Sequence, residues 1–287
     1  MGVTFGLLAA FFWGITDFLA GMSARRIGVR RAVFVSLCFG LVVVGSVFLS
    51  MPAARSQAFA APASGWAGAL AAAVCTLFGS LTLSKGLSTG KAAIVAPIAM
   101  SYGAVTTILS VLSGERLGAL GVAGILICIG GVPLTAITRE APVVRHAAQT
   151  SPVFFAILAA LLYGVGFFVQ GRYALPALGT TATLFVGYAL GAASLALILT
   201  VSRGETWQAP PASASPLLLA QSTASLAALG SFAIGASTGA VAVVTVLSTL
   251  SGGVTALLGL TLRAERLTVL QWTGVAAVIA GAVVLRL

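Results

Sequence analysis

Residues 101–117 read SYGAVTTILSVLSGERL, and residues 251–267 read SGGVTALLGLTLRAERL. At a shift of 150 residues, the two stretches align Glu115 with Glu265, although the chain contains only five acidic residues. The same shift aligns small and aromatic residues elsewhere in the two halves: Ala9-Ala10 with Ala159-Ala160, Trp13-Gly14 with Tyr163-Gly164, Phe18 with Phe168, and Gly131 with Gly281. Because a repeat with one fixed period determines the architecture of a chain, we expect two copies of half length.

The composition is that of an integral membrane protein. Hydrophobic residues make up 59% of the chain and charged residues 7%, and the mean hydropathy is +1.12, whereas soluble domains carry roughly 25% charged residues. The apolar runs reach about 20 residues, the length that spans a bilayer as a helix. They are continuous, unlike the alternating segments of an outer-membrane barrel. The sequence therefore predicts an all-α protein in a lipid bilayer.

Polar and proline-rich breaks divide the chain into ten predicted transmembrane helices. Their approximate ranges are 3–22, 32–51, 66–86, 92–113, 117–137, 153–172, 180–201, 216–236, 240–262 and 268–286. Residues 139–152 form the most polar stretch, and we interpret them as a linker between repeats at 1–138 and 153–287. Since five crossings is an odd number, the second repeat is inverted. Such repeats surround a central cavity near the bilayer midplane, and one chain supplies both halves, so we expect a monomer.

The formal charge of +10 is interpreted as orienting charge in loops, and no nucleic acid is expected as a partner. Loops on the side of the connection between helices 1 and 2 hold eleven of the fifteen Lys and Arg residues: Arg25, Arg26, Arg30, Arg31, Lys85, Lys91, Arg139, Arg145, Arg203, Arg263 and Arg266. The positive-inside rule places these loops in the cytoplasm and both termini outside it. We expect a multi-pass protein of the cytoplasmic (inner) membrane.

Residues suited to catalysis or metal binding are scarce. The single histidine, His146, lies in the linker, and the sequence contains no HExxH, GxSxG or Walker A motif. Cys38, Cys75 and Cys128 lie inside apolar segments without the spacing of metal ligands. The sequence therefore predicts neither an enzyme nor a bound cofactor or metal.

Asp17 is the only acidic residue well inside a predicted span. An intramembrane carboxylate is costly and marks a functional site by default. Asp17 shares a helical face with Trp13, four residues earlier, so both are candidate substrate-binding residues. The alternative is that Asp17 lies about one turn inside the end of helix 1, hydrated or paired with Arg25 or Arg26. From that position it would reach one side of the membrane, which favours a facilitator over proton coupling.

Other aromatic and polar side chains recur in the predicted helices. The further candidates for substrate binding are Phe78 in helix 3; Pro97, Ser101 and Tyr102 in helix 4; Tyr163, Phe167 and Gln170 in helix 6; Ser231 in helix 8; and Ser248 in helix 9. Pro97 removes a backbone hydrogen bond and frees a carbonyl, which is tolerated beside a cavity or another helix. Helix packing is the alternative explanation for each of these residues.

The sequence resembles the drug/metabolite transporter superfamily, EamA type. The resemblance rests on ten spans in two copies, Trp13 in the first helix, Pro97 within the fourth, and the Glu-Arg-Leu and glycine motifs that close each half. It implies a central cavity lined by helices 1, 3, 4, 6, 8 and 9, with Trp13, Phe78, Tyr102 and Tyr163 as its aromatic residues. Members export amino acids and related metabolites, among them the aromatic amino acid exporters of the YddG kind. The resemblance implies cytoplasmic termini, whereas the charge count places them outside.

These features predict a secondary transporter that moves small amphipathic metabolites by alternating access. Amino acids, aromatic ones among them, are the favoured substrates, and export is the favoured direction. A passive channel would need a continuous polar pore, which the few scattered polar residues do not favour. Phosphorylated sugars would need a cation in mid-span, and the sequence has none there. A transporter of another metabolite class is the remaining alternative.

Overall fold

The computed structural model of the chain describes residues 2–114, 118–136, 151–201, 210–237, 248 and 250–284. Its helices are α1 Gly2–Ile27, α2 Val29–Ser50, α3 Pro52–Ala60, α4 Ala63–Thr89, α5 Ala92–Met100, α6 Tyr102–Leu112, α7 Ala119–Ala136, α8 Pro152–Val169, α9 Leu175–Leu178, α10 Thr180–Val201, α11 Ser215–Ser237, α12 Ser251–Leu262 and α13 Val269–Val284. A π-helical turn, Gln170–Ala174, joins α8 to α9. The predicted linker up to residue 150, with His146, lies outside the described residues, as does Glu115.

Within the described residues, six helical segments are long and apolar enough to cross a membrane. They are Thr4–Ile27, Val29–Ser50, Ala63–Thr89, Ala92–Leu112, Pro152–Leu178 and Thr180–Val201. Two shorter apolar helices, Ser251–Leu262 and Val269–Gly281, follow near the end of the chain. The predicted class, an all-helical membrane protein, is therefore confirmed for the described part of the chain.

The fourth predicted span is broken into α5 and α6 at Ser101. Pro97 has no N–H for the helical ladder, and its ring crowds the preceding turn. The N–H of Ser101 bonds to the carbonyl of Ile98, three residues earlier, at 3.0 Å. A continuous α-helix would use the carbonyl four residues earlier. The Ser101 hydroxyl donates to the same carbonyl at 2.6 Å. The fourth predicted span thus changes helix at Ser101, one turn after Pro97.

The helix contacts follow a two-fold pattern in which each repeat packs against the other. The α1 helix packs on α11, and α4 packs on α8 in the same way. Likewise, α1 contacts α12 while α8 contacts α6. Two further pairs each join equivalent helices of the two copies: α2 with α10, and α7 with α13. The repeat seen in the sequence is therefore also a repeat of contacts.

The crossing of α1 with α12 and the crossing of α6 with α8 are each held by a hydrogen bond from a threonine hydroxyl to a glycine carbonyl. The Thr255 hydroxyl of α12 lies 3.0 Å from the Gly14 carbonyl of α1 and 3.0 Å from the carbonyl one turn back in its own helix. The Thr106 hydroxyl of α6 lies 3.0 Å from the Gly164 carbonyl of α8, again with a second acceptor in its own helix. Polar contacts of this kind hold helices together in lipid, where no hydrophobic effect drives their association.

Both crossings also require glycine. A Cβ atom on Gly14 would lie 2.5 Å from the Cβ of Val254, and one on Gly164 would lie 2.5 Å from the Cβ of Val105. Real carbon atoms do not approach so closely, so an alanine at either position would push the helices apart. The equivalent glycines therefore set the distance between the two copies at both crossings.

These contacts correct the alignment of the two stretches by one residue. The shift of 150 pairs Ser101 with Ser251, whereas the structure uses Thr106 and Thr255 equivalently, a shift of 149. The helix starts agree with the shift of 149, because Ser101 immediately precedes the helix at Tyr102 and Leu250 immediately precedes the helix at Ser251. The residue equivalent to Ser251 is then Tyr102.

Glu265 joins the copies at one end of the bundle. Its two carboxylate oxygens accept the N–H groups of Ala92 and Ala93 at 3.0 and 2.9 Å. These are the first residues of α5, in the other copy, where unpaired N–H groups and the helix dipole favour an anion. Arg263 lies 3.3 Å from the same carboxylate. Glu265 is thus a structural residue.

Candidate functional site

A cavity of about 220 Å³ lies between α2, α4, α8 with its π-helical turn, and α10. Its polar lining consists of hydroxyl groups and one amide, from Thr76, Ser80, Tyr163, Gln170, Thr183 and Tyr188. Its larger apolar lining residues are Leu37, Leu77, Phe167 and Leu184. No charged side chain is among the described residues that line it. The cavity can therefore hold a small molecule with both apolar and neutral hydrogen-bonding parts.

Tyr163 is the best-positioned polar side chain of the cavity. Its hydroxyl lies 2.9 Å from the Ser80 hydroxyl. Ser80 donates its own proton to the Thr76 carbonyl at 2.9 Å, so the Tyr163 hydroxyl donates to Ser80. The phenol oxygen keeps acceptor capacity for a bound molecule. The Tyr163 ring packs flat against Gly79, where an added Cβ would lie 3.1 Å from ring atoms.

Three aromatic rings, Tyr102, Tyr163 and Phe167, form an aromatic cluster on one side of the cavity. Tyr163 and Phe167 are stacked, with centroids 5.6 Å apart and an interplanar angle of 9°. The Tyr102 ring tilts against both, at 5.0 Å from Phe167 and 6.2 Å from Tyr163. Such pairs are rigid and present flat apolar surface. The cluster fixes the orientation of the two rings that line the cavity.

The π-helical turn begins at Gln170, the last polar lining residue of this helix. A π turn adds one residue to a helical turn and is frequent at functional sites. In α1, the equivalent segment continues as α-helix to Ile27. The turn therefore distinguishes the two repeats at the position where Gln170 lines the cavity.

Thr76, Thr183 and Tyr188 also line the cavity and were not among the residues predicted from the sequence. Thr183 donates to the Gly179 carbonyl at 2.7 Å, and the Tyr188 hydroxyl hydrogen-bonds to Ser225. The Tyr188 ring occupies the space that a side chain at Gly40 would fill. A polar residue in an apolar span indicates a candidate functional residue. Only the packing of α2 on α10, however, shows that Tyr188 faces the cavity.

Asp17 lies near the middle of α1, not near its end. It precedes Ile27, the last residue of α1, by ten residues, or about 15 Å along the helix axis. The helix continues past the predicted end because Arg25 folds back onto the carbonyls of Leu87 and Gly90, at 2.9 and 2.8 Å. Arg25 is thus committed elsewhere, and the structure does not pair it with Asp17.

Asp17 is half-buried in α1. It does not line the cavity of about 220 Å³. An acid at this depth is costly to ionise unless a ligand, a proton or water compensates it.

The comparison with known proteins identifies the family. The model of the EamA-like transporter family matches the chain twice, over residues 1–137 and 150–287. The chain belongs to the EamA-like transporter family. It is therefore a multi-pass membrane transporter of small solutes, in a family that is not one of enzymes. The resemblance seen in the sequence is confirmed.

The fold of this EamA-like chain is also similar to solved structures, 15 chains of which match. One of them, a crystal structure described only as that of a protein, has a TM-score of 0.59 and is 17% identical in sequence. The match covers 99% of this chain and 95% of that chain. At this identity the likeness concerns the fold alone. No curated protein matches the chain.

The EamA-like fold brings together four of the predicted site residues and places others beside them. Tyr163, Phe167 and Gln170 line the cavity, and Tyr102 contacts both aromatic rings. Pro97 is fully buried in α5, one helical turn before the break at Ser101. Ser101 immediately precedes α6, which carries Tyr102, and neither Pro97 nor Ser101 lines the cavity.

This cavity lies between the predicted spans 2, 3, 6 and 7, not between the spans 1, 3, 4, 6, 8 and 9 that the resemblance implied, and the remaining predicted residues lie apart from it. The Trp13 ring packs on Phe232 of α11, with centroids 5.6 Å apart, and the neighbouring Ser231 is buried. Ser248 is buried as well. Phe78 exposes 47% of its surface, although Thr76 and Ser80 of the same helix line the cavity. The structure thus does not bring Phe78 to the cavity, because the helical turn directs it to another face.

Proposed function

We propose that this chain is a secondary transporter of small amphipathic metabolites, with amino acids, including aromatic ones, as its main substrates. It works as a monomer of ten transmembrane helices in two inverted five-helix repeats. Alternating access exports the substrate across the cytoplasmic membrane. The cavity with its neutral polar lining and its aromatic cluster carries this proposal.

The inverted arrangement is supported by the contacts at one face of the bundle. The end of α1 lies there, since Arg25 bonds to the carbonyl of Gly90 just after α4. The start of α8 lies at the same face, since an added Cβ on Gly90 would lie 2.5 Å from Pro152. The equivalent helices α1 and α8 therefore run in opposite directions, as inverted repeats require.

The size and chemistry of the cavity support the substrate class. Its volume of about 220 Å³ is below the roughly 300–1,000 Å³ of pockets for drug-sized ligands, which favours a small metabolite. The Tyr163 and Phe167 rings offer apolar faces, and Gln170 with the hydroxyl groups offers donors and acceptors. Phosphate groups are held by Lys and Arg in most sites, and the described lining has neither.

Counterflow in proteoliposomes tests the proposal. Vesicles loaded with one unlabelled amino acid should accelerate the entry of the labelled compound, because a carrier returns faster when it is loaded. A channel would show no such trans-stimulation. A screen of labelled amino acids, aromatic amines, nucleotide sugars and triose phosphates then identifies the substrate. Transport of a phosphorylated sugar that outcompetes every amino acid would exclude the proposed class.

Reporter fusions test the orientation. The charge count of the loops predicts that a phosphatase fused at residue 287 is active outside the cytoplasm, while one inserted in 139–152 is inactive. The opposite pattern would place the termini in the cytoplasm. Cross-linking or mass measurement of the reconstituted protein tests the monomer.

A further inference from the structure

Three arginines from two separate parts of the chain meet at one face of the bundle. Arg25 and Arg26 of the last turn of α1, together with Arg263 just after α12, line an open cleft of about 330 Å³. Met22 completes the lining. No residue of this cleft also lines the cavity that contains Tyr163. We call it the arginine cleft.

The Arg25 side chain is held in place by the end of another helix. One of its terminal nitrogens donates to the carbonyls of Leu87 and Gly90, at 2.9 and 2.8 Å. These carbonyls belong to the last turn of α4 and the residue after it, where a cation is favourable. A guanidinium has five N–H donors, so Arg25 retains donors for a ligand.

The Arg263 side chain is held by a second set of contacts. It lies 3.3 Å from Glu265, whose carboxylate is itself fixed by the N–H groups of Ala92 and Ala93. Glu265 offsets one charge, so three guanidinium groups and one carboxylate leave a net charge of +2 at the cleft. Arg26 is exposed beside them. Two arginines of the cleft are thus fixed before any ligand arrives.

The position of the cleft indicates the source of its ligand. The charges lie where α1, α4 and α12 end and α5 begins, at the level of the lipid headgroups if these helices cross the bilayer. Met22, one turn before Arg26, is 40% exposed and offers an apolar wall on the side of the membrane. Guanidinium groups match phosphate oxygens in geometry as well as charge. Basic pockets between transmembrane helices bind anionic lipid headgroups in this way.

We propose that the arginine cleft binds the phosphate group of an anionic phospholipid from the leaflet at this face. The group that the cleft recognises is a phosphate anion, which either a phospholipid or free inorganic phosphate can supply. Occupation by a lipid would join the end of α1 to the turn after α12, two segments that belong to different repeats. The lipid would therefore stabilise the protein at this face.

The test uses the full chain, delipidated in detergent and titrated with phosphatidylglycerol, with native mass spectrometry to count bound lipid. The double variant Arg26→Gln/Arg263→Gln should bind this lipid roughly 30-fold more weakly, as two basic contacts are lost. The matched control is Arg30→Gln/Arg31→Gln, which removes two charges from the same face outside the cleft. It should change the binding by less than about threefold.

Three outcomes would overturn the proposal. The control variant could weaken binding as much as the cleft variant, which would indicate attraction by total charge. Neutral phosphatidylcholine could bind equally well, which would remove the role of charge. Inorganic phosphate or glycerol phosphate could displace the lipid at equal concentration, which would indicate a site for free anions. If the double variant does not fold, Arg26→Gln alone should weaken binding about fivefold, and unchanged binding would contradict the proposal.

Discussion

The crossing of α1 with α12 and the crossing of α8 with α6 are built alike, but the residues that follow along α1 and α8 differ. Gly14 and Gly164 accept the same threonine hydrogen bond at the same close distance. One turn later, α1 has Asp17 where α8 has Phe167. Three residues further, Ala20 stands in α1 and Gln170 in α8. The shared residues hold the copies together, whereas the residues that differ carry the candidate chemistry.

The described residues around Tyr163 and Trp13 differ in the same way. On the α8 side, the π-helical turn and Gln170 line a cavity with Tyr163. On the α1 side, Trp13 at the position of Tyr163 packs on Phe232. A twofold scaffold thus holds an acid near the centre of one helix and a polar-aromatic site along the other.

The largest expected effect concerns Asp17. Its central position in α1 suits a carboxylate that is reached from both sides of the membrane, so we expect proton exchange where the sequence alone favoured a facilitator. Asp17→Asn keeps the shape of the side chain but cannot release a proton. In proteoliposomes, it should abolish the stimulation of transport by a pH gradient and leave counterflow intact. Phe167→Leu, at the equivalent position of α8, changes a ring that lines the cavity. It should lower the transport rate but keep the ratio of transport with and without the pH gradient. Gradient stimulation in Asp17→Asn equal to that of the parent protein would indicate a facilitator.

The next effect tests whether the crossings are equivalent. Gly14→Ala and Gly164→Ala each place a Cβ 2.5 Å from a valine Cβ, and overpacking of this kind costs about 1–3 kcal/mol. Both variants should therefore unfold more easily in detergent, by similar amounts, in a thermal or denaturant titration. Gly230→Ala is the control, because nothing lies within 4 Å of a Cβ there. If only one of the two variants, Gly14→Ala or Gly164→Ala, loses stability, the two crossings are not equivalent.

A smaller effect compares Tyr163 with its repeat partner Trp13. Tyr163→Phe removes the hydroxyl that bonds to Ser80 and one acceptor of the cavity. A lost hydrogen bond of about 0.5–1.5 kcal/mol should raise the KM of the substrate roughly two- to tenfold. Trp13→Phe keeps an aromatic ring against Phe232 and should change the KM less than twofold. Equal changes in both variants would mean that the substrate site extends to α1.

The smallest effect concerns the threonine hydrogen bonds. Thr255→Val and Thr106→Val keep the shape of the side chain and remove the bond to the partner glycine, which costs about 0.6 kcal/mol on average in membranes. Thr255 is fully buried, whereas Thr106 is half-buried, so Thr255→Val should lose more stability. Thr107→Val is the control, because among the described residues Thr107 bonds within its own helix, to Gly103. If Thr255→Val and Thr106→Val are as stable as Thr107→Val, the close packing at the glycines, and not the threonine hydrogen bonds, stabilises the two crossings.

Part of the site could be predicted from the sequence because helical spacing is local. The interval from Tyr163 to Phe167 and Gln170 is set by the helix itself, and these three residues do line one cavity. The wall that faces them could not be predicted in this way. Thr183 and Tyr188 reach the cavity only because α10 packs on α2, and no local pattern specifies which helices are neighbours.

The end of α1 shows the same limit. Hydropathy predicted an end near residue 22, because Arg25 and Arg26 interrupt the apolar run. The helix continues to Ile27, since Arg25 finds its partners at the end of α4. That tertiary contact extends the helix by more than one turn and moves Asp17 from near its end to near its middle.

The sequence by itself determined the membrane class, the family and the two copies. These follow from apolar runs of bilayer length and from a fixed shift, which are properties of the chain that need no partner. Tertiary structure alone decided the pairing of Thr106 and Thr255 with glycines of the opposite copy, and the position of the cavity beside α8. The physical reason is that lipid drives no association between helices, so close contacts and buried hydrogen bonds select each helix's neighbours.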